Sequence, residues 1–98
     1  MGLYGGMEIS VVHDPDLERF DAHSPDGERV GDVTYRRDGD VWDLVGTHVP
    51  PELGGRGIAT AMLRDVLAQI RAVGGSVRPT CPFVAAYLDR HPDEAVRV

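Results

Sequence analysis

Residues 49–63, Val-Pro-Pro-Glu-Leu-Gly-Gly-Arg-Gly-Ile-Ala-Thr-Ala-Met-Leu, place three glycines within four positions, directly before an amphipathic run. The first turn of a helix carries backbone N–H groups with no internal partner, and the helix dipole leaves that end partly positive. A glycine turn running into it lets main-chain amides converge on an anion with no Cβ in the way. Gly54, Gly55 and Gly57 supply such a turn, and Arg56 adds a permanent charge suited to phosphate. Ile58, Ala59 and Thr60 follow as the first turn of that helix, whose amides lack internal partners. The chemistry this implies is capture of a phosphate or pyrophosphate, although glycine turns also serve as plain strand-to-helix connections. A nucleotide P-loop is excluded because its Lys and following Ser/Thr are missing.

Cys81 is the second residue of chemical interest. It stands where the final apolar segment begins, and a helix N-terminus favours the thiolate. A free cysteine at such a place is equally often a small packed residue. Among the other candidates, Tyr87 reads as core with a wet hydroxyl, and His91 before Pro92 as a helix-end cation. His13 and His23 fall at strand ends and read as solvated, while Trp42 shares a face with Leu44 and reads as core. His, Cys and carboxylate residues nowhere fall at metal-ligand spacing, so no metal is expected.

The elements that must hold these residues change period at mid-chain. Residues 7–13, 17–23, 28–36 and 41–49 are short β-prone runs. Asp14-Pro15-Asp16, Ser24-Pro25-Asp26-Gly27 and the hairpin pair Asp38-Gly39 separate them. Trp42, Leu44 and Gly46 alternate against Val41, Asp43 and Val45. From Ile58 the apolar residues fall at 58, 59, 62, 63, 66, 67 and 70, one stripe of a helix that Gly74-Gly75 ends through positive φ. A brief strand follows over residues 76–80, then a helix over 81–91 with Pro82 in its first turn and Pro92 after it. The expected fold is α+β: a mixed, mostly antiparallel sheet of about five strands with two main helices. Residues 1–6 read as a flexible leader and residues 7–98 as a single domain.

Bulk properties limit the partners. All ten basic residues are Arg and the formal charge is -6, so general affinity for nucleic acid or acidic membranes is not expected. Signal-peptide and membrane-span patterns are both missing, which makes cytoplasmic residence the default. One cysteine among 98 residues excludes an internal disulfide. The exposed edge of a small sheet allows a monomer or a weak homodimer.

The order of strands, glycine turn, helix, strand and helix resembles the GNAT acetyltransferase superfamily. The superfamily's acyl-CoA loop reads Gln/Arg-x-x-Gly-x-Gly/Ala; here Gly57 and Ala59 match and Gly54 replaces the Gln or Arg. Residues 47–63 and 78–95 are similar to the two signature blocks of a short GNAT-like subfamily that lacks the N-terminal helices. This resemblance implies binding of acetyl-CoA (coenzyme A) in a cleft where two strands splay apart, here after Val49 and beside residues 76–79. It also implies transfer to an amine acceptor. Backbone N–H groups near Thr47 to Val49 could serve the oxyanion, and Cys81 could accept the acetyl group or help the leaving thiol. That subfamily commonly reads His-Thr-x-Val-Pro where this chain has Gly46-Thr47-His48-Val49-Pro50, so His48 could supply the base from a displaced position on the same strand face. The competing reading of His48 is a surface residue beside a Pro-Pro turn. Two further functions fit the same pattern: a non-catalytic acyl-CoA-binding regulatory module, and a scaffold that binds no nucleotide.

Overall fold

The computed structural model describes residues 8–54 and 57–98. The chain forms, in order, β1 (Ser10–Asp14), β2 (Arg19–His23), β3 (Arg29–Asp38), β4 (Val41–His48), α1 (Ile58–Ala72), β5 (Ser76–Pro79) and α2 (Pro82–Arg90). Short 3-10 turns stand at Pro51–Leu53 and Pro92–Glu94. The sheet order is β1-β2-β3-β4-β5, with the first four strands antiparallel and β5 parallel to β4. A parallel neighbour cannot be reached by a hairpin, and α1 is the crossover that reaches it. The fold is therefore the expected mixed α+β sheet with two helices. The expected leader, residues 1–6, lies outside the described residues, as does Met7.

Turn chemistry fixes the meander. Gly27 and Gly39 both take positive φ, as the turns before β3 and before β4 require. Glu18 is the one non-glycine residue with positive φ among the described residues, and β2 accordingly begins at Arg19 rather than at residue 17.

One departure from strict alternation matters for the site. Tyr35 pairs with Leu44 and the next residue back, Thr34, pairs with Gly46, so Val45 is an extra residue in β4. Trp42 and Leu44 share a face with Tyr35. Beyond the bulge that face is continued by Thr47, opposite Val33, while Gly46 and His48 turn to the other side with Thr34 and Asp32. The expected single row of Trp42, Leu44 and Gly46 is broken at this point.

Both helices lie on the face of Val33 and Tyr35. α1 presents Ile58, Met62, Leu63, Val66, Leu67 and Ile70, all buried, which is the predicted stripe with Ala59 half-buried at its margin. Each such side chain contributes about 1.5–3 kcal/mol by leaving water. Gly74 ends the helix at φ 77 as expected, but Gly75 does different work: a Cβ there would stand 2.5 Å from Trp42 Nε1. α2 starts at Pro82 and buries Val84, Tyr87 and Leu88. The chain end then returns to the sheet, where the Val77 N–H donates to Val96 O at 2.7 Å and the Val98 N–H to Val77 O at 2.9 Å. Across the sheet from the helices, a polar face carries Arg19, Asp21, Asp32, Thr34 and His48.

Candidate functional site

The pairing of β4 with β5 runs only from Val41–Ser76 to Leu44–Pro79. The Cys81 N–H then donates to Leu44 O at 2.8 Å, and α2 begins one residue later, while β4 runs on to His48. The strands thus part after Leu44, earlier on β4 than the expected point after Val49. The cause is local: Pro79 has no N–H to continue the ladder, and Pro82 turns the chain into a helix.

One residue named from the sequence faces this parting. Cys81 is the N-cap residue of α2, only 7% exposed, and its Sγ lies 3.6 Å from Thr47 Oγ1. His48 stands one residue beyond Thr47 and so projects from the opposite face of β4. The structure does not bring Cys81 and His48 together.

Gly46 makes the room that His48 uses. A Cβ on Gly46 would sit 2.9 Å from His48 Cε1 and 2.8 Å from Thr34 Oγ1, so the imidazole lies over the glycine. His48 Nδ1 is 2.8 Å from Asp32 Oδ1, and a carboxylate oxygen can only accept, so Nδ1 carries the hydrogen. The second carboxylate oxygen of Asp32 takes a 2.7 Å bond from Arg29 Nη1. His48 remains 63% exposed and borders a cleft of about 280 Å³ with Arg29, Gly31, Asp32, Val49 and Pro50.

The glycine turn meets α1 at Gly57, the N-cap residue, which adopts the left-handed conformation at φ 76. Among the described residues no side chain caps this end and no acidic residue occupies the first turn, so its positive pole is not neutralised from within the helix. Ile58 is buried, while Ala59 and Thr60 are half-buried. Gly54 is extended and its N–H donates to Pro51 O, which closes the preceding 3-10 turn. Gly55 and Arg56, both named for the phosphate cradle, lie outside the described residues.

The remaining candidates separate from this site. Tyr87 is buried and its hydroxyl donates to Glu94 Oε1 at 2.6 Å; burial, and then that carboxylate, hold its phenol above the ordinary range. Its hydroxyl therefore has a protein partner instead of the expected water. His91 packs against Tyr87 with ring centroids 4.3 Å apart and the planes tilted by 31°. His13 is not the solvated residue its position suggested. It stacks on Phe20 at 4.6 Å and meets the Tyr35 hydroxyl at 2.6 Å, and burial, then the nearby Arg37, lower its pKa. Trp42 is core as expected, with Arg37 over its ring at 4.0 Å.

Asp32 and Arg29 are the site residues that sequence reading missed. The only signal available was the strand register, and the bulge at Val45 alters it.

The family model for the GCN5-related N-acetyl-transferase matches residues 19–97, and the chain belongs to that family. Among solved structures, a Staphylococcus aureus protein assigned as a GCN5-like N-acetyltransferase superposes with a TM-score of 0.67 at 22% identity, over 94% of this chain and 88% of that one. A nourseothricin acetyltransferase gives 0.50 at 20% identity, over 72% of this chain and 56% of that one. A Pyrococcus furiosus protein assigned as an acetyl transferase gives 0.52 at 22% identity, over 74% and 56%. The chain thus spans little more than half the length of the last two. A search of curated proteins gives no match. No helix among the described residues is long and apolar enough to cross a membrane.

Proposed function

We propose that the protein is an N-acetyltransferase that moves an acetyl group from acetyl-CoA to the amine of a small molecule or a protein. The observation that carries this reading is the start of α1, where Gly57 holds the left-handed conformation and, among the described residues, no side chain caps the helix and no carboxylate stands in its first turn. That pole suits a diphosphate, with the amides of Gly57 to Thr60 turned toward it, and Gly54, Gly55 and Arg56 are assigned to the same ligand by their residue types. Val49, the residue after β4, is assigned to the same ligand.

Acetyl-CoA supplies an activated thioester. The chain's own residues supply the rest. His48, its Nδ1–H held by Asp32, offers Nε2 to take the proton that the acceptor nitrogen loses as it bonds to the acetyl carbon. Main-chain N–H groups of β4 beyond Leu44, freed where β5 departs, stabilise the oxyanion. As the carbon–sulfur bond breaks, Cys81 gives its thiol proton to the departing sulfur and is reprotonated from solvent. Thr47 orients that thiol. The polar sheet face offers the acceptor a shallow open seat.

Calorimetry with coenzyme A tests the reading. Heat of binding at millimolar ligand or below, abolished by Gly57→Val, supports it; absence of heat overturns it. Thiol release with an amine panel separates the enzyme from a binding module, which would give heat without release.

A further inference from the structure

The polar face carries a linear array of alternating charge. Asp21 on β2 stands opposite Asp32 on β3, and Asp32 opposite His48 on β4, so the three form a row across the strands. Two carboxylates directly opposite one another repel. Arginines offset that repulsion: Arg19 Nε is 2.7 Å from Asp21 Oδ1, and Arg29 Nη1 is 3.4 Å from Asp21 Oδ1 and 2.7 Å from Asp32 Oδ2. Arginine suits this place because its fork can bond two carboxylates and cannot be deprotonated.

The array ends on the imidazole. Asp32 is far less exposed than His48, at 15% against 63%, and each of its oxygens has one charged or ring partner. Its plane is therefore fixed from the Arg29 side before it meets His48. A carboxylate that accepts from Nδ1–H holds a neutral imidazole in one tautomer, with the Nε2 lone pair free. Free imidazole in water prefers the other tautomer, which carries its hydrogen on Nε2 and has no lone pair there to act as a base. Gly46 admits the ring, and Asp32 decides which nitrogen is bare.

We infer that Asp32, clamped by Arg29, is a positioning residue that keeps His48 in the Nδ1–H tautomer and so makes Nε2 the base for the acceptor amine. This rests on the reading of His48 as the base. The comparison with the Ser-His-Asp arrangement, where loss of the carboxylate misplaces the proton on the ring, is one of chemistry and not of fold.

The experiment combines nitrogen-15 NMR of the His48 ring with steady-state kinetics, on the full chain and on Asp32→Ala and Asp32→Asn, using acetyl-CoA and whichever amine of a panel turns over. In the unaltered protein the neutral ring carries its hydrogen on Nδ1. In Asp32→Ala it shifts to mainly Nε2–H, and kcat falls about tenfold with KM for acetyl-CoA unchanged, part of the 10²–10⁴ a positioned base supplies. Asp32→Asn keeps the volume of the side chain. Should Asp32→Ala fail to fold, the Asn variant gives the same two readings. An unchanged tautomer in the folded variant overturns the inference, as does an unchanged kcat where His48→Ala is slow. If His48→Ala is as fast as the unaltered protein, it is the base reading that fails, and this is told apart because the tautomer shift in the Asp32 variant still appears.

Discussion

Thr47 Oγ1 lies 3.6 Å from Cys81 Sγ, across the point where β4 and β5 separate. The contact joins the stretch of β4 that β5 has left to the N-cap residue of α2, so the thiol is held at the mouth of the splay. Cys81→Ala and Cys81→Ser are both expected to lower kcat about tenfold, because an aliphatic hydroxyl is too weak an acid to protonate a departing thiolate. Intact-mass measurement after incubation with acetyl-CoA decides between this role and covalent transfer. An adduct of about 42 Da on Cys81 would make the thiol a nucleophile instead. The chain has no lysine, so side-chain amines cannot obscure the result.

Gly57 sits at φ 76, where a Cβ costs about 1–2 kcal/mol. Open space surrounds the position, so the cost is one of backbone conformation and not of collision. Gly57→Ala should lower the melting temperature by a few degrees and weaken coenzyme A binding by a larger factor, since the amides of the first turn move with it. Calorimetry and thermal unfolding on one sample check both.

A Cβ on Gly75 would stand 2.5 Å from Trp42 Nε1 and 2.9 Å from Ile70 Cγ2. Gly75→Ala is expected to destabilise by about 1–3 kcal/mol through overpacking. Trp42 Nε1 is buried and has no hydrogen-bond partner among the described residues. Trp42→Phe removes that orphan donor and opens space, so the double variant should recover part of the loss in urea unfolding.

His13 has its pKa lowered from 6.5, chiefly by burial and then by Arg37. The folded state therefore favours the neutral ring, and the unfolded chain binds the proton more readily. The stabilisation is complete above about pH 6.5 and is lost as pH falls from there through the lower folded value. His13→Gln should flatten the dependence of melting temperature on pH in that window.

The Tyr87 hydroxyl is committed to Glu94. Tyr87→Phe should leave kcat unchanged and cost about 1–3 kcal/mol of stability, because the half-buried carboxylate loses its donor. A large fall in kcat with normal stability would instead make this phenol the acid of the reaction.

Much of this was legible in the sequence. The stripe from Ile58 to Ile70 and the hairpin at Asp38-Gly39 are local patterns with one physical reading, and the structure follows them. His13 was misjudged because its burial comes from Phe20, Tyr35 and Trp42, residues far along the chain that only the folded sheet gathers. Asp32 was missed for a narrower reason. An unbroken register from the hairpin would set His48 opposite Gly31, and the extra residue Val45 sets it opposite Asp32. Residue types alone carry no sign of that extra position. Gly75 was read as a conformational device beside Gly74, whereas its role is the space it leaves for an indole.

The bulge at Val45 has a consequence for the length of the chain. Removing that single residue would let the hairpin zip on without interruption, and Gly46, Thr47 and His48 would keep their present partners and sides. Regular pairing that retained Val45 would instead drive the imidazole in among the leucines and the threonine out toward water. The outer surface of this strand is thus decided by parity, through one residue left without an opposite number, and not by the valine side chain.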